Sequence, residues 1–487
     1  MKLLTGLVQP ATDHELTGWL FVKGLALVYV AAFASLAVQI DSLVGPDGIL
    51  PFQDVLRGSY EELGYRALLR LPTLFWLDSS DAALKGVAIA GTVVALLLVL
   101  GWVTARPALI ALFVLYLSLC HAGQIFTAFQ WDTLLLEAGF LAIFLADPPT
   151  RLIVLLFEWL LFRLRFLSGY FKLASGDPSW RDLTALDTYF ETQPLPHVGS
   201  WYAHQLPHWL LKVGVGFTFF AELVVPFFIF LPRPFRIFAA SVTMLAQLLI
   251  IATSNHNFIN LLTILLCLFV LDDRVVGYAL PRALRDRIQR GASRQAPGRA
   301  AKALVVASAG LILVLSSGMM LASRTRRPLP EPWAVLSEIP PALGIGSLFH
   351  LFPTMQIERQ ELRIFGSYDG RVWEPYTFRY KPDALDRAPR FIVPHQPRLD
   401  WMMWFVPPQW PDTGFWFERF LQALKQNRTS VTCLLERNPF EGKPPPTQLR
   451  VLAYRYRFTT PQERSRTGNW WKAEYLGEYP DVPPRRP

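Results

Sequence analysis

Cysteine and charge are both scarce in this chain. Three cysteines, Cys120, Cys267 and Cys433, are scattered over 487 residues. Two lie in apolar runs and the third in a distant polar region, a pattern that supports neither a disulfide framework nor a metal cluster. Only 17% of residues are charged while 52% are hydrophobic, whereas soluble domains carry about 25% charge. That balance excludes an ordinary soluble protein. There is no HExxH, no GxSxG, no GxxxxGK[ST] and no Gly-rich dinucleotide loop, so no motif names a reaction, a metal or a cofactor. The N-terminus lacks a cleavable signal pattern. Its first apolar run, 19–40, is too long for an h-region and no small-residue cleavage site follows it.

Long apolar runs are what the chain does have. Roughly 20 apolar residues span a hydrocarbon core, and nine runs are candidates: 19–40, 84–102, 107–121, 133–146, 152–167, 209–231, 235–252, 258–271 and 303–322. Several are short enough to be re-entrant or merged with a neighbour, so the reading is a polytopic α-helical membrane bundle of eight or nine helices. The net charge of +9 concentrates in the loop 274–302, which includes Arg282, Arg285, Arg287 and Arg290. Positive loops stay cytoplasmic, so membrane topology accounts for this cluster without nucleic acid. Alternation then also places Lys2, Arg106, Arg151, Arg233 and Arg236 inside. The opposite side receives 41–83, 168–208 and everything after Ser323: N-terminus in, C-terminus out.

After Ser323 charges and prolines rise and apolar residues alternate. Leu362 to Phe365, a Ser367-Tyr368-Asp369-Gly370 turn and Val372 to Tyr380 read as a hairpin; 451–458 alternates in strand period. Residues 401–404 and 415–424 read as short helices. The expectation is a membrane domain over 1–322, with a structured exoplasmic segment at 168–208, and a β-rich α+β exoplasmic domain over 323–487.

Polar residues in or beside the apolar runs are Gln124, Asp132, Glu137, Glu158, Arg163, Arg165, Glu222, Asn255 and His256. Intramembrane charge is costly unless paired or hydrated, so ion pairs of Glu137 or Glu222 with Arg163 or Arg165 are expected. Asp132 and Glu137, five residues apart, are off one helical face and read as separate anchors. The 168–208 segment is far more aromatic and charged than a linker requires. Lys172 within it is either a cation snorkelling to the headgroups or a desolvated base, with His204 as its companion. His204 and His208 are spaced for one helical face, but Pro207 interrupts that helix, and no further ligands make a zinc site. Aromatic and Arg residues dominate interface energetics. The candidate client-binding set is therefore Trp180, Arg181, Trp201, Tyr202, His395, Arg398, Trp401, Trp404, Trp470 and Trp471, each of them alternatively a core or membrane-belt residue.

Long strings of this sequence resemble the lipase maturation factors: Gly123-Gln124-Ile125-Phe126, then 129–137, then 168–207, Asn255 to Asn260, Leu271-Asp272-Asp273, 388–391, 394–401, Asn438-Pro439-Phe440, Thr467 to Trp471 and Glu474-Tyr475. The resemblance implies a polytopic protein, resident in the ER membrane in animals, that helps secreted lipases reach an active state; the first reading is a non-enzymatic maturation factor. It also implies that the C-terminal portion binds the lipase. The closing Pro483-Pro484-Arg485-Arg486-Pro487 reads as no ER-retention signal. The expected location is a bacterial inner membrane, or the ER membrane for a eukaryotic source. Tyr170-Phe171-Lys172-Leu173 is also similar to the region of the vitamin-K-dependent carboxylases that bears their basic lysine. That similarity implies an enzyme acting on a lipid or lipid-like cofactor, with Lys172 as base. Asn427-Arg428-Thr429 is a glycosylation sequon by pattern.

Overall fold

Nine helices form the apolar part of the computed structural model, which describes residues 6–145, 149–291, 298–325, 342–407 and 413–481. They are α1 (Glu15–Ala37), α2 (Asp81–Leu100), α3 (Ala105–Ala122), α4 (Gln130–Ala142), α5 (Arg151–Ala174), α6 (His208–Phe230), α7 (Arg233–Thr253), α8 (Ile259–Phe269) and α9 (Arg299–Thr325). Six of these (α1, α2, α3, α6, α7 and the Lys302–Met320 part of α9) are long and apolar enough to cross a membrane. α5 has the length, 24 residues, but carries charge along it. At about 1.5 Å per residue, the 13 residues of α4 fall well short of a hydrocarbon core of about 30 Å. α8 is short as well, and both are largely enclosed by their neighbours. The runs 133–146 and 258–271 are thus partial segments inside the bundle.

Local chemistry sets the helix ends. The Ser80 hydroxyl accepts from the Ala83 amide to open α2, and Gly101 at φ 75° closes it in the left-handed region. Thr150 caps α5 in the same way, through the Ile153 amide. α6 is irregular: residues Phe220–Val224 form a π turn and Val225–Phe230 a 3₁₀ turn. α1 and α2 lie so close at Gly91 that a Cβ there would stand 2.3 Å from the Phe33 ring. Small residues at such crossings let backbones approach and recover van der Waals contact where no hydrophobic drive operates.

Loops gather at two ends of the bundle. At one end Ala11 donates to the Pro149 carbonyl, Asp273 accepts from the Leu16 and Thr17 amides, and Arg233 pairs with Asp272. The other end meets the C-terminal region. There an antiparallel sheet of order β2-β1-β3-β4 is built from β1 (Arg359–Ser367), β2 (Glu374–Pro375), β3 (Gln448–Phe458) and β4 (Trp471–Glu478). The expected hairpin is present: Asp369 accepts from the Arg371 and Val372 amides, and Phe365 faces Pro375. Its second strand is only two residues long, because Pro375 offers no amide and belongs on an edge. β3 covers the alternating run and pairs with β1 from Arg359↔Tyr456 to Ser367↔Gln448. The two short helices are Arg398–Met403 and Thr413–Lys425. Their Trp401 and Trp416 meet Trp131 and Phe126 of the bundle end with ring centroids 4.9 and 5.9 Å apart, so one apolar cluster runs through both regions.

Two glycines of α2 provide a matched test of the α1–α2 contact. A Cβ at Gly86 meets nothing within 4 Å, whereas at Gly91 it meets Phe33. Gly91→Ala should lower the melting temperature of the detergent-solubilised protein, and Gly86→Ala should leave it unchanged or raise it, as read by tryptophan fluorescence on heating.

Candidate functional site

Arg398 joins the two regions. Its guanidinium grips Asp132 of α4 with two parallel bonds of 2.6 and 2.8 Å and also donates to the Phe126 carbonyl at 3.0 Å. The Tyr116 hydroxyl of α3 donates to the same carboxylate at 2.6 Å. Around this pair, the Gln39 side chain accepts from the Arg398 amide and donates to the Gln396 carbonyl, while Ser35 bonds His395 Nδ1. Arg398 and Asp132 are both almost wholly buried. The expectation that Arg398 contacts a client is therefore corrected: the side chain is buried, and both of its terminal nitrogens bond groups inside the protein.

Lys172, near the C-terminal end of α5, is buried inside the protein. Its ammonium donates to Glu222 at 2.8 Å, to the Leu351 carbonyl at 3.0 Å and to the Ser168 carbonyl at 3.4 Å, and stands 5.2 Å from the Trp180 ring. An ammonium has three protons, and all three are engaged. This geometry holds a structural cation and leaves no lone pair for a base. Arg165 approaches Glu222 at 3.6 Å from the other side, and Glu137 pairs with Arg163. Asp132 and Glu137 serve two separate pairs. A strap of residues 342–355 seals these groups at the bundle end: Gly346 donates to Glu137, Arg163 to the Ser347 carbonyl, and Met355 to Asp177. Gln124 donates to the Leu50 carbonyl, and Asn255 bridges Leu195, Arg390 and Ile392.

A cavity of about 100 Å³ adjoins Lys172, with Trp180, Tyr189, Glu222, Gln247, His256 and Asn260 among its walls. His204 is not among them. It faces Glu191 at 3.7 Å, across the 168–208 segment from Lys172. His204 also ends the helix Val198–His204, while His208 begins α6 and pairs with Asp187 at 2.9 Å, so the two histidines do not share a helical face.

Most of the candidate aromatics are interior. Trp201, Trp470 and Trp471 cluster with Tyr456 and Phe458; Trp180 packs on Phe219; Trp401 lies on Trp131; Trp404 donates to the Thr192 carbonyl. The exposed surface expected of Trp180, Trp201, Trp401, Trp470 and Trp471 is corrected to core packing, since each is 8% exposed or less. His395 and Trp404 are half-buried. Only Arg181, ion-paired to Asp182, and Tyr202, 57% exposed, face outward. Tyr202 stands at the rim of an open groove of about 530 Å³ between the helices Val198–His204 and Pro461–Thr467, with Gln205, Arg464 and Ser465 beside it. Arg464 lies 3.6 Å from the Trp470 ring and 5.1 Å from Trp201, forming the groove floor.

Residues 16–278 match the model of the lipase maturation factor transmembrane domain, and residues 345–482 that of the lipase maturation factor C-terminal domain. The chain belongs to the lipase maturation factor family. It is 33% identical over 511 residues to lipase maturation factor 1 of Bos taurus, covering 97% of this chain and 90% of that protein. It is 32% identical over 581 residues to lipase maturation factor 2 of Homo sapiens, covering 94% and 81%. No solved structure matches it significantly, and nothing in these comparisons supports the carboxylase resemblance.

Some structural groups of this family member escape sequence reasoning. Arg359 is fully buried and donates to the carbonyls of Glu191, Gln193 and Pro194 and to Glu361. Lys381 completes that cluster at 3.0 Å from Glu361. The available signal is opposite charge at i, i+2 on one strand, since Arg359 and Glu361 share a face. In the sequon, Asn427 donates its amide protons to the Phe440 and Lys443 carbonyls.

Two predictions follow from these contacts. Arg398→Met leaves Asp132 buried and unpaired, a change that costs about 3–5 kcal/mol. A large drop in melting temperature and easier proteolytic release of the C-terminal region are the expected readouts. The second concerns pH. Burial lowers the pKa values of His204, His256 (to about 3) and His395. They stay neutral in the folded protein while the unfolded chain protonates below about pH 6.5. Stability from these groups is therefore lost as pH falls through that value, although the buried carboxyls of Glu191 and Asp400, pushed up by burial, act in the opposite sense. Melting temperature should drop on acidification from neutral pH, with a shallower slope in His256→Gln.

Proposed function

We propose that this protein is a non-enzymatic maturation factor that assists the folding or assembly of a secreted lipase from the exoplasmic face of its membrane. The similarity to lipase maturation factors 1 and 2 over nearly the whole chain carries this reading. The arrangement of the bundle ends supports an orientation. Arg151, Arg233, Arg236 and Arg274 lie toward the end opposite the sheet, and short basic loops stay cytoplasmic. The C-terminal region is then exoplasmic, in a bacterial periplasm or an ER lumen, where a secreted client would pass.

The groove at Tyr202 is the client-docking candidate. Interfaces draw on exposed aromatic anchors set in a pocket with a polar rim. Here the exposed Tyr202 ring, the guanidinium of Arg464 and the hydroxyl of Ser465 offer that combination. Gln205 is fixed to the Thr459 carbonyl and Trp201 Nε1 to the same oxygen, so the groove wall is rigid before a client arrives. A preformed wall spares the ordering cost of binding.

The test is co-expression with a secreted lipase, reading secreted lipase activity and the level of this protein in the membrane. Tyr202→Ala and Ser465→Arg alter groups that face solvent, so both variants should accumulate normally with an unchanged melting temperature. Each should lower lipase activity several-fold. Full lipase activity in both variants would remove the groove from the reading. Trp201→Ala, by contrast, should reduce the protein's own stability, because the ring is part of the core.

A further inference from the structure

Among the described residues, four buried hydrogen-bond donors without acceptors belong to side chains that line the cavity beside Lys172. Arg165 Nε, Trp180 Nε1, Gln247 Nε2 and Asn260 Nδ2 all belong to residues that line it, none of them more than 4% exposed, and none has a partner in the protein. Buried polar groups are usually satisfied, and these four open donors surround one space large enough to hold a ligand group. All four are donors. The acidic group at the wall is Glu222, already shared by Lys172 at 2.8 Å and Arg165 at 3.6 Å. Two fixed cations against one carboxylate leave an excess of one positive charge. The complement is a group rich in acceptors and carrying one negative charge.

The backbone is shaped for the same purpose. Glu222 sits in the π turn of α6, a local irregularity frequent at functional sites. α5 reaches that turn only because position 169 is glycine: a Cβ there would lie 2.9 Å from the Glu222 Cβ. α7 packs against the Val225–Phe230 end of α6 and parts from it toward His208. Thr218 and Ile250 line the cavity from these two helices and are half-buried. Nearby on the same helices, Val213, Phe220, Leu245, Leu248 and Leu249 are exposed apolar side chains, the surface a spanning helix turns to lipid.

We propose that this cavity binds the singly charged anionic head of an acyl lipid, whose chain leaves between α6 and α7 into the bilayer. A fatty-acid carboxylate or a glycerophospholipid phosphodiester has the required charge and acceptors. The volume of about 100 Å³ suits the carboxylate better. The lipid is held and undergoes no reaction, since every proton of Lys172 is already committed. This inference is independent of the lipase client, because the cavity and the groove share no lining residue.

The experiment uses the full chain purified in mild detergent without added lipid. Extraction and mass spectrometry should recover an anionic acyl lipid in stoichiometric amount, its mass distinguishing fatty acid from phospholipid. Added oleate should raise the melting temperature, as a ligand of the folded state must, while methyl oleate, with the same chain and no charge, should not. Gln247→Leu and Asn260→Leu should each reduce the retained lipid and the oleate shift several-fold. Should either variant fail to fold, a photoreactive oleate on the unaltered protein decides: labelling of α6 and α7 peptides that free oleate competes away supports the site. Recovery of neutral lipid alone or of none, equal shifts with oleate and methyl oleate, or labelling that free oleate does not compete away overturns it.

Discussion

The bond between Arg398 and Asp132 is the constraint on which the relation between bundle and C-terminal region depends. Burying two charges is expensive, and a buried pair offsets that cost only with excellent geometry and further hydrogen bonds to its polar atoms. Here the fork of the guanidinium meets the carboxylate with both nitrogens, a carbonyl takes a further proton and a tyrosine hydroxyl bonds the acid. Such a pair adds little net stability over an apolar substitute. What it contributes is register, because a sideways shift of the helix Arg398–Met403 would leave a bare charge in an apolar environment. The edge-on contact of Trp401 with Trp131 is non-directional apolar packing that leaves no bare charge when it shifts; the ion pair does.

The same principle repeats within the bundle. Glu137 with Arg163 and Glu222 with Lys172 each leave valences that other bundle helices do not fill, and the strap 342–355 supplies the missing amide and carbonyls. The strap is therefore part of the bundle's electrostatics although it follows the last spanning helix in sequence. The polar residues inside the apolar runs are the price of attaching a large extramembrane region at one fixed angle. A bundle of leucine alone would have spanned as well and held the sheet loosely.

Period and composition made the spanning runs, the turn at Asp369 and Gly370, the alternating strand β3 and the short helices at 401–404 and 415–424 legible, because those signals are local. The charges within apolar runs were legible as groups needing partners. What stayed hidden was the identity of distant partners. Arg398 lies in a polar stretch and reads as a surface residue, since its acid is more than two hundred residues earlier. The tryptophans mislead for a related reason: an indole suits a core, a membrane belt and an interface equally, and only the fold decides. β4 was missed although Trp471 to Tyr475 alternates apolar with charged in strand period; the run is short and mostly exposed. Arg359 escaped because its partners are mostly backbone carbonyls, which no residue type announces.

The density of aromatic and ionisable groups in 168–208 now has a physical cause. The segment is neither a flexible linker nor a bare docking surface; it fills the space between two differently built layers. Its first part, through Trp180, completes the packing around α6. Its middle helix, Ala185–Thr192, presents Tyr189 to the cavity and the Glu191 carboxylate to the Phe458 amide of β3. Its last helix places Trp201 in the sheet's own core and leaves Tyr202 outside. A chain that must contact membrane helices on one side and a twisted sheet on the other needs large, rigid side chains with one polar atom each, and Trp, Tyr and His are those. Gly and Ser would have given reach without contact, and the groove wall would then have had no fixed position relative to the membrane.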